Sequence, residues 1–157
     1  MSDWGSTNRL PAHVALVEGA VLGGDLHLLT RPAFPPGGSE TPLEMLNRPE
    51  GFFPVTQESG TVFVPKSQVA MVTCEWPPQG WPPEGMVLLP DPDRRVALLV
   101  RLAGGEEIRG EAAMVARNGH GRALDFLNES GPFFQLVTEG VPRLINRSHV
   151  SVVRPLD

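Results

Sequence analysis

The chain has 157 residues, 41% of them apolar, which is enough for one ordinary domain or two very small ones and argues against disorder throughout. Its net charge of −5 is uneven: residues 1–93 carry 4 basic and 11 acidic side chains (−7), and residues 94–157 carry 9 and 7 (+2). The acidic first half argues against a protein that binds nucleic acid over its whole surface, because such binding depends on basic side chains that neutralise the phosphates.

Cysteine content and hydropathy indicate a compartment. Cys74 is the only cysteine, so neither an internal disulfide nor a thiolate zinc cluster can form. The first twenty residues lack the order of a signal peptide, and no apolar run approaches the roughly 20 residues that span a bilayer. We therefore expect a soluble, cytoplasmic protein that does not bind membranes.

The first elements follow a tail predicted over residues 1–12. Alternation in "VALVE" predicts a strand, a turn around Gly19 reverses it, and a second strand follows. Thr41 and Glu44 form a Thr-x-x-Glu capping box, which predicts a short helical turn after the second strand. Asn47 stands where a residue in the left-handed conformation would end that turn, and Asn128 has the same place later in the chain.

The next elements occur twice. Residues 43–73 align without a gap on residues 124–154, with nine of 31 positions identical, and Gly24 falls opposite Gly110 in an upstream match. In each copy three further short strands follow the helical turn; in the first they are "FFPVT", "TVFVP" and "QVAMVT". This organisation predicts a first repeat over 13–73, a Pro-rich linker over 74–93 and a second repeat over 94–157.

Five short strands per repeat predict a strongly bent sheet that closes on itself. We therefore expect a mainly β protein of two tandem five-stranded small barrels, each with a short helical turn between its second and third strands. The paired residues Phe52–Phe53 and Phe133–Phe134 are adjacent, so on a strand they face opposite sides. One Phe of each pair can fill its barrel while the other packs outward, against the other copy.

The closing stretch "RLINRSHVSVVRP" resembles the last two strands of the Sm-like family, particularly its bacterial RNA chaperones of the Hfq type. Arg147 and His149 match the basic–His turn of that family approximately, with Ser148 as an extra residue, and "VALVEGAVLGGDL" is similar to its first motif. Residues 124–133 also resemble uncharacterised bacterial proteins with an L-x-D-x-L-N…F-x-x-L core. The first resemblance implies small barrels and RNA contact through the second repeat.

Four basic side chains are therefore the candidate RNA contacts: Arg143, Arg147, His149 and Arg154. The alternative is a solvated Arg rim, which we favour because no exposed aromatic residues are interleaved to stack bases. Trp76 and Trp81 flank the Pro pairs of the linker, where they either pin it to a barrel or mark a partner-binding surface.

Enzymatic chemistry has little support in the sequence. Asp25 and His27 share a strand face and could supply two metal ligands, but without a nameable third they are better interpreted as solvent-facing. Cys74 is expected to be a buried bystander thiol. We predict no catalytic residues, no metal, no cofactor and no small-molecule substrate. The preferred hypothesis is a non-enzymatic scaffold or adaptor that binds a protein partner or itself, and the alternative is an Sm-like RNA-binding protein.

Overall fold

A computed structural model describes residues 7–29, 40–74, 94–114 and 123–156. These residues form ten strands and two short helices, which confirms the prediction of a mainly β protein. The elements in chain order are β1 (Thr7–Leu16), β2 (Val21–Leu29), α1 (Pro42–Leu46), β3 (Phe52–Gln57), β4 (Gly60–Pro65), β5 (Val69–Cys74), β6 (Arg94–Leu102), β7 (Glu107–Met114), α2 (Ala123–Glu129), β8 (Phe133–Thr138), β9 (Val141–Asn146) and β10 (Val150–Leu156). Short 3-10 turns join β4 to β5 and β9 to β10.

The ten strands join one antiparallel sheet in the order β10-β6-β7-β8-β9-β5-β1-β2-β3-β4. We call β1 to β5 the first half and β6 to β10 the second half. Each half runs through its strands in the same order, beginning with its fifth strand and ending with its fourth. The halves meet where β5 pairs with β9, so the described strands form one open sheet. Two closed barrels stay a prediction.

The first strand begins earlier than predicted. β1 starts at Thr7, within the stretch 1–12 that was predicted to be a tail. Leu10, Ala12 and Val14 alternate as buried residues along it, and the strand pairs with β2 from Thr7 to Ala15. The strand extends this far because the period-2 burial pattern continues through Pro11, which is exposed.

The capping box at the start of α1 is confirmed. The Oγ1 atom of Thr41 accepts a hydrogen bond from the Glu44 amide, and a carboxylate oxygen of Glu44 accepts one from the Thr41 amide. The predicted left-handed conformation of Asn47 is wrong, because its φ is −90°. Asn128 lies inside α2 rather than at its end. The side chain of Asn47 instead forms hydrogen bonds with the second half.

Each half has its own hydrophobic core, and each core takes side chains from the other half. The first core includes Phe133 of β8 and Leu144 of β9 beside Phe53 and its neighbours. The second core includes Met71 of β5 beside Phe134. The prediction that the two Phe of a pair face opposite sides is confirmed: Phe134 fills its own half, while Phe133 packs in the core of the other half.

Candidate functional site

The junction between the halves is a short β ladder. Three residue pairs form it: Met71↔Ile145, Val72↔Leu144 and Thr73↔Arg143. The three side chains that cross the junction are buried: Phe133 is 1% exposed, Leu144 0% and Met71 6%. Backbone pairing and the exchange of core side chains together make the two halves one packed unit.

Polar side chains add to the junction. Asn47 donates from Nδ2 to the carbonyl oxygen of Phe133 (3.1 Å) and accepts from the Phe133 amide (2.8 Å). Asn146 donates from Nδ2 to the carbonyl oxygens of Lys66 and Val69, at 3.1 and 2.9 Å. These four bonds join side chains of one half to backbone groups of the other and so contribute to the stability of the junction.

The two ends of the sheet are β4 and β10. In the part of the chain that the structure describes, each of these strands pairs with a neighbour on one side only. On the first half, Phe52 lies opposite Pro65 and Pro54 lies opposite Phe63, so these four residues share one face of β3 and β4. We call them the β3–β4 apolar face. Phe52 is 62% exposed and Phe63 65% exposed.

The residues at the sheet ends correspond in the alignment to the residues at the junction. Phe52 aligns with Phe133 and Phe63 with Leu144, so the β3–β4 apolar face is the exposed counterpart of a buried one. On the other end of the sheet, the counterpart of buried Met71 is Val152 of β10, which is 44% exposed. Among the described strands, this type of contact therefore occurs once, and the counterparts of its two sides lie at the two ends of the sheet.

A cleft lies beside the β3–β4 apolar face. Phe63 and Pro65 line it together with Val62, and Leu16 and Leu22 from the β1–β2 hairpin close its other side. On β9, the strand edge that corresponds to the free edge of β4 is paired with β5 at the junction. The first half thus presents an apolar strand edge with a groove along it.

Two of the predicted RNA contacts, Arg147 and His149, form hydrogen bonds within the protein. A guanidinium nitrogen of Arg147 donates to the carbonyl oxygens of Leu127 (3.3 Å) and Ser130 (2.9 Å), at the carboxyl end of α2. His149 donates from Nε2 to the carbonyl oxygen of Ser67 (2.6 Å) in the first half. Cations suit helix ends, where the last carbonyl groups lack partners.

Lys66, which aligns with Arg147, has a similar place in the first half. Its Nζ donates to the carbonyl oxygens of Met45 (3.2 Å) and Arg48 (2.9 Å) at the end of α1. Burial lowers the pKa of Lys66, and the nearby Arg48 lowers it further. The basic residue in the 3-10 turn of each half therefore donates hydrogen bonds to carbonyl groups at the end of that half's helix.

The other two predicted RNA contacts lie apart in the sheet order. Arg143 is on β9 at the junction, opposite Thr73, and its Nε is buried. Arg154 is an exposed residue of β10, where it pairs with Leu99 of β6. Three strands separate β9 from β10 in the sheet. Trp76 and Trp81, the predicted partner contacts, lie outside the described residues.

His27, one of the two candidate metal ligands, does not have the orientation that was predicted. The interpretation of His27 as solvent-facing is wrong, because its side chain is 3% exposed and its Nε2 shares a 2.7 Å hydrogen bond with Oγ1 of Thr56. Leu26 and Leu28 on either side of it are also buried, so both faces of β2 are covered at this point. Within the four described ranges, no three His, Cys, Asp or Glu side chains form a group able to hold a metal ion.

His27 should make folding pH-dependent. Burial lowers its pKa below the ordinary 6.5, and Arg9 lowers it further, while Asp25 acts in the opposite direction. The unfolded chain therefore binds a proton before the folded chain does, and stability falls as the pH drops below about 6.5. We expect urea unfolding to show a smaller loss between about pH 7.5 and about pH 5 for His27→Gln than for wild type.

The exposed His13 supplies the control for this prediction. His13→Gln makes the same substitution on the neighbouring strand β1, so the two variants are compared at each pH. A His27→Gln variant with the same dependence as wild type would show that another group is responsible.

Cys74 is buried at the end of β5, as expected of a bystander thiol. Burial raises the pKa of its thiol to about 11. The thiolate, which is the reactive form, is therefore scarce at neutral pH in the folded protein.

Comparisons with protein-family models, with curated proteins and with solved structures find no match to this chain. Among the described residues, no helix is long and apolar enough to cross a membrane.

Sequence reasoning named the residues of the junction without assigning them a site. Phe52 and Phe133 were identified as aligned positions, and one unspecified Phe of each adjacent pair was predicted to pack outward. In the structure Phe52 is exposed and Phe133 is buried. The signal that could have identified the site is the repeat itself. When a strand of one repeat pairs with a strand of the other, the equivalent strands that do not take part are left unpaired at the ends of the sheet.

Proposed function

We propose that this protein is a non-enzymatic interaction module, which works in an assembly by binding protein through the end of its sheet. The observation that supports this proposal is the β3–β4 apolar face, where Phe52 and Phe63 are each more than 60% exposed. Burying a large apolar side chain contributes about 1.5–3 kcal/mol, so two such residues form a strong anchor.

The backbone of β4 supports the same proposal. A strand that is paired on one side offers its outer amide and carbonyl groups to an incoming strand, which is the basis of β-augmentation. Backbone bonds would supply part of the affinity, and the cleft between β4 and the β1–β2 hairpin would receive side chains of the partner.

We also propose that each half is one small barrel of the Sm-like kind, as its sequence resemblance implies. The common strand order of the halves supports this proposal. So do Gly24 and Gly110, because a Cβ atom at either position would lie 2.7 Å from a carbonyl oxygen of the next strand. Such a close approach is typical of a strongly bent sheet.

Photo-crosslinking tests the interaction role. A benzophenone amino acid at position 63, introduced in cells of the source organism, should give discrete protein adducts. The same residue at exposed Arg109, on the inner strand β7, is the control and should give none. The proposal fails if position 63 yields no adduct, or if both positions yield the same ones.

RNA binding through Arg143, Arg147, His149 and Arg154 stays the alternative proposal. Its support is the sequence resemblance, whereas the bonds of Arg147 and His149 within the protein favour a structural role. Filter binding to short single-stranded RNA at two salt concentrations tests it, with Arg147→Glu as the variant. Binding that is unchanged in this variant would contradict contact through Arg147.

A further inference from the structure

We propose that a cleft between the two halves binds a small, uncharged aromatic molecule that has one amide-like hydrogen-bonding group. The cleft lies beside the β5·β9 junction and has a volume of about 270 Å³. We call it the junction cleft. Its lining residues do not belong to the β3–β4 apolar face, so binding here is independent of the proposed interaction role.

Both halves of the molecule line the junction cleft. The first half contributes Leu43 of α1 and Asn47, which follows that helix, while β7, α2 and β8 of the second half form the rest of the wall. Gaps between packed units are a common place for small ligands, because the facing elements form a concave surface that neither unit has alone. A molecule bound here would therefore contact both halves.

Apolar side chains form most of the lining. Leu43, Phe126 and Val137 are each half-buried, so each still has surface that a ligand can cover. Phe126 makes an edge-to-face contact with Phe134, with ring centroids 6.2 Å apart and ring planes at 87°. Because aromatic rings pack favourably in such arrangements, a flat ring is the ligand shape that this wall favours.

The lining of the junction cleft has no charged side chain. Its polar side chains are those of Asn47, Ser130 and Gln135, which are all neutral. Moving a charged group from water into such a cleft costs free energy that no opposite charge in the lining offsets. An uncharged ligand is therefore favoured, and since the lining contains no acid or base, we expect binding without chemical conversion.

Gln135 provides the hydrogen-bonding group of the cleft. The side chain of Asn47 is already bonded to the backbone of Phe133, and the hydroxyl of Ser130 is bonded to two backbone carbonyl oxygens. Within the four described ranges, the side-chain amide of Gln135 has no hydrogen bond, although the residue is half-buried. An amide is its best partner, because each amide then donates one hydrogen bond and accepts one.

The size of the cleft limits the ligand. A cavity of roughly 150 Å³ holds benzene, so the 270 Å³ of the junction cleft admits one ring with a substituent of a few atoms. Asn47 is held in place by its bonds to Phe133 and packs on Gly131, where a Cβ atom would lie 2.8 Å from the Asn47 side chain. The expected ligand class is therefore the monocyclic aromatic amides, of which benzamide is the simplest.

Titration with benzamide, followed by two-dimensional NMR of the backbone amides, tests the site. We expect a Kd of about 1 mM, with the largest shifts around Leu43, Gln135 and Val137. Benzoate has the same shape with a negative charge and should bind at least about tenfold more weakly. Cyclohexanecarboxamide has the amide without the aromatic ring and should bind several-fold more weakly.

Two substitutions locate the binding site. Gln135→Met keeps an unbranched side chain of similar length but removes the amide, and it should weaken benzamide binding about three- to tenfold. Ala113→Leu adds methyl groups to the lining from an exposed position, so it should stay folded and weaken binding at least about tenfold. Ala97→Leu, on the neighbouring strand β6 and outside the lining, is the matched control and should bind as the wild type does.

Three results would overturn the proposal. The first is an NMR spectrum that does not change at about 10 mM benzamide, ten times the expected Kd. The second is equal affinity for benzamide and benzoate. The third is wild-type affinity in both Gln135→Met and Ala113→Leu, which would place the bound molecule outside the junction cleft.

Discussion

Replacing Phe133 by alanine is expected to lower the free energy of unfolding by about 3–5 kcal/mol. The side chain is 1% exposed and belongs to β8 of the second half, but it packs in the core of the first half. Its loss leaves a cavity in the first core and weakens the contact between the halves. Urea unfolding followed by fluorescence or circular dichroism measures the change.

The aligned residue Phe52 provides the matched control, since the same substitution there removes a side chain that is 62% exposed. At dilute protein, Phe52→Ala should change the free energy of unfolding by no more than about 0.5 kcal/mol. Equal losses in the two variants would contradict the burial of Phe133 between the halves.

Gly24→Ala should cost about 3 kcal/mol, at the upper end of the usual range for added bulk. A Cβ atom at this position would lie 2.7 Å from the carbonyl oxygen of Thr56, and a backbone atom of β3 cannot rotate away as a side chain does. Gly110→Ala should have a similar effect, because its Cβ would lie 2.7 Å from the Val137 carbonyl oxygen. Thermal or urea unfolding measures both.

The neighbouring Gly23 is the control for Gly24. A Cβ at Gly23 would meet only the ring of His13, at 3.7 Å, which is ordinary contact. Gly23→Ala should therefore be close to neutral. A Gly24→Ala variant as stable as Gly23→Ala would show that β2 and β3 do not approach closely there.

Local features of the fold could be predicted because they depend on neighbouring residues. The capping box of Thr41 and Glu44 requires only a spacing of three residues. The opposite orientations of Phe133 and Phe134 follow from the alternation of side chains along any strand. The repeat in the sequence agrees with two halves of the same strand order.

Features that depend on distant residues could not be predicted. Asn47 was interpreted as a helix end, but its side chain binds the backbone of Phe133, 86 positions later. Arg147 was interpreted as a possible RNA contact, but its nearest acceptors are carbonyl groups of the α2 end. In both cases local spacing identified a polar residue, while its partner was set by the packing of elements far apart in the chain.

The pairing of β5 with β9 is the feature from which the functional proposals follow. Alignment alone gives two equal units, and only the observed pairing distinguishes the joined strands from the exposed ones. Because one junction joins two similar halves, one copy of each contact strand is left at an end of the sheet. Phe52 and Phe63, each more than 60% exposed, lie at one of these ends.

Light scattering coupled to size exclusion tests this claim most directly. Over a range of protein concentrations, the wild type, alone or mixed with the protein that crosslinks to position 63, should exceed the mass of one chain and return toward it on dilution. A Phe52→Ser/Phe63→Ser variant should stay folded, because both side chains are largely exposed, and should have the mass of one chain throughout. A wild-type protein with the mass of one chain at every concentration, both alone and in that mixture, would contradict the account.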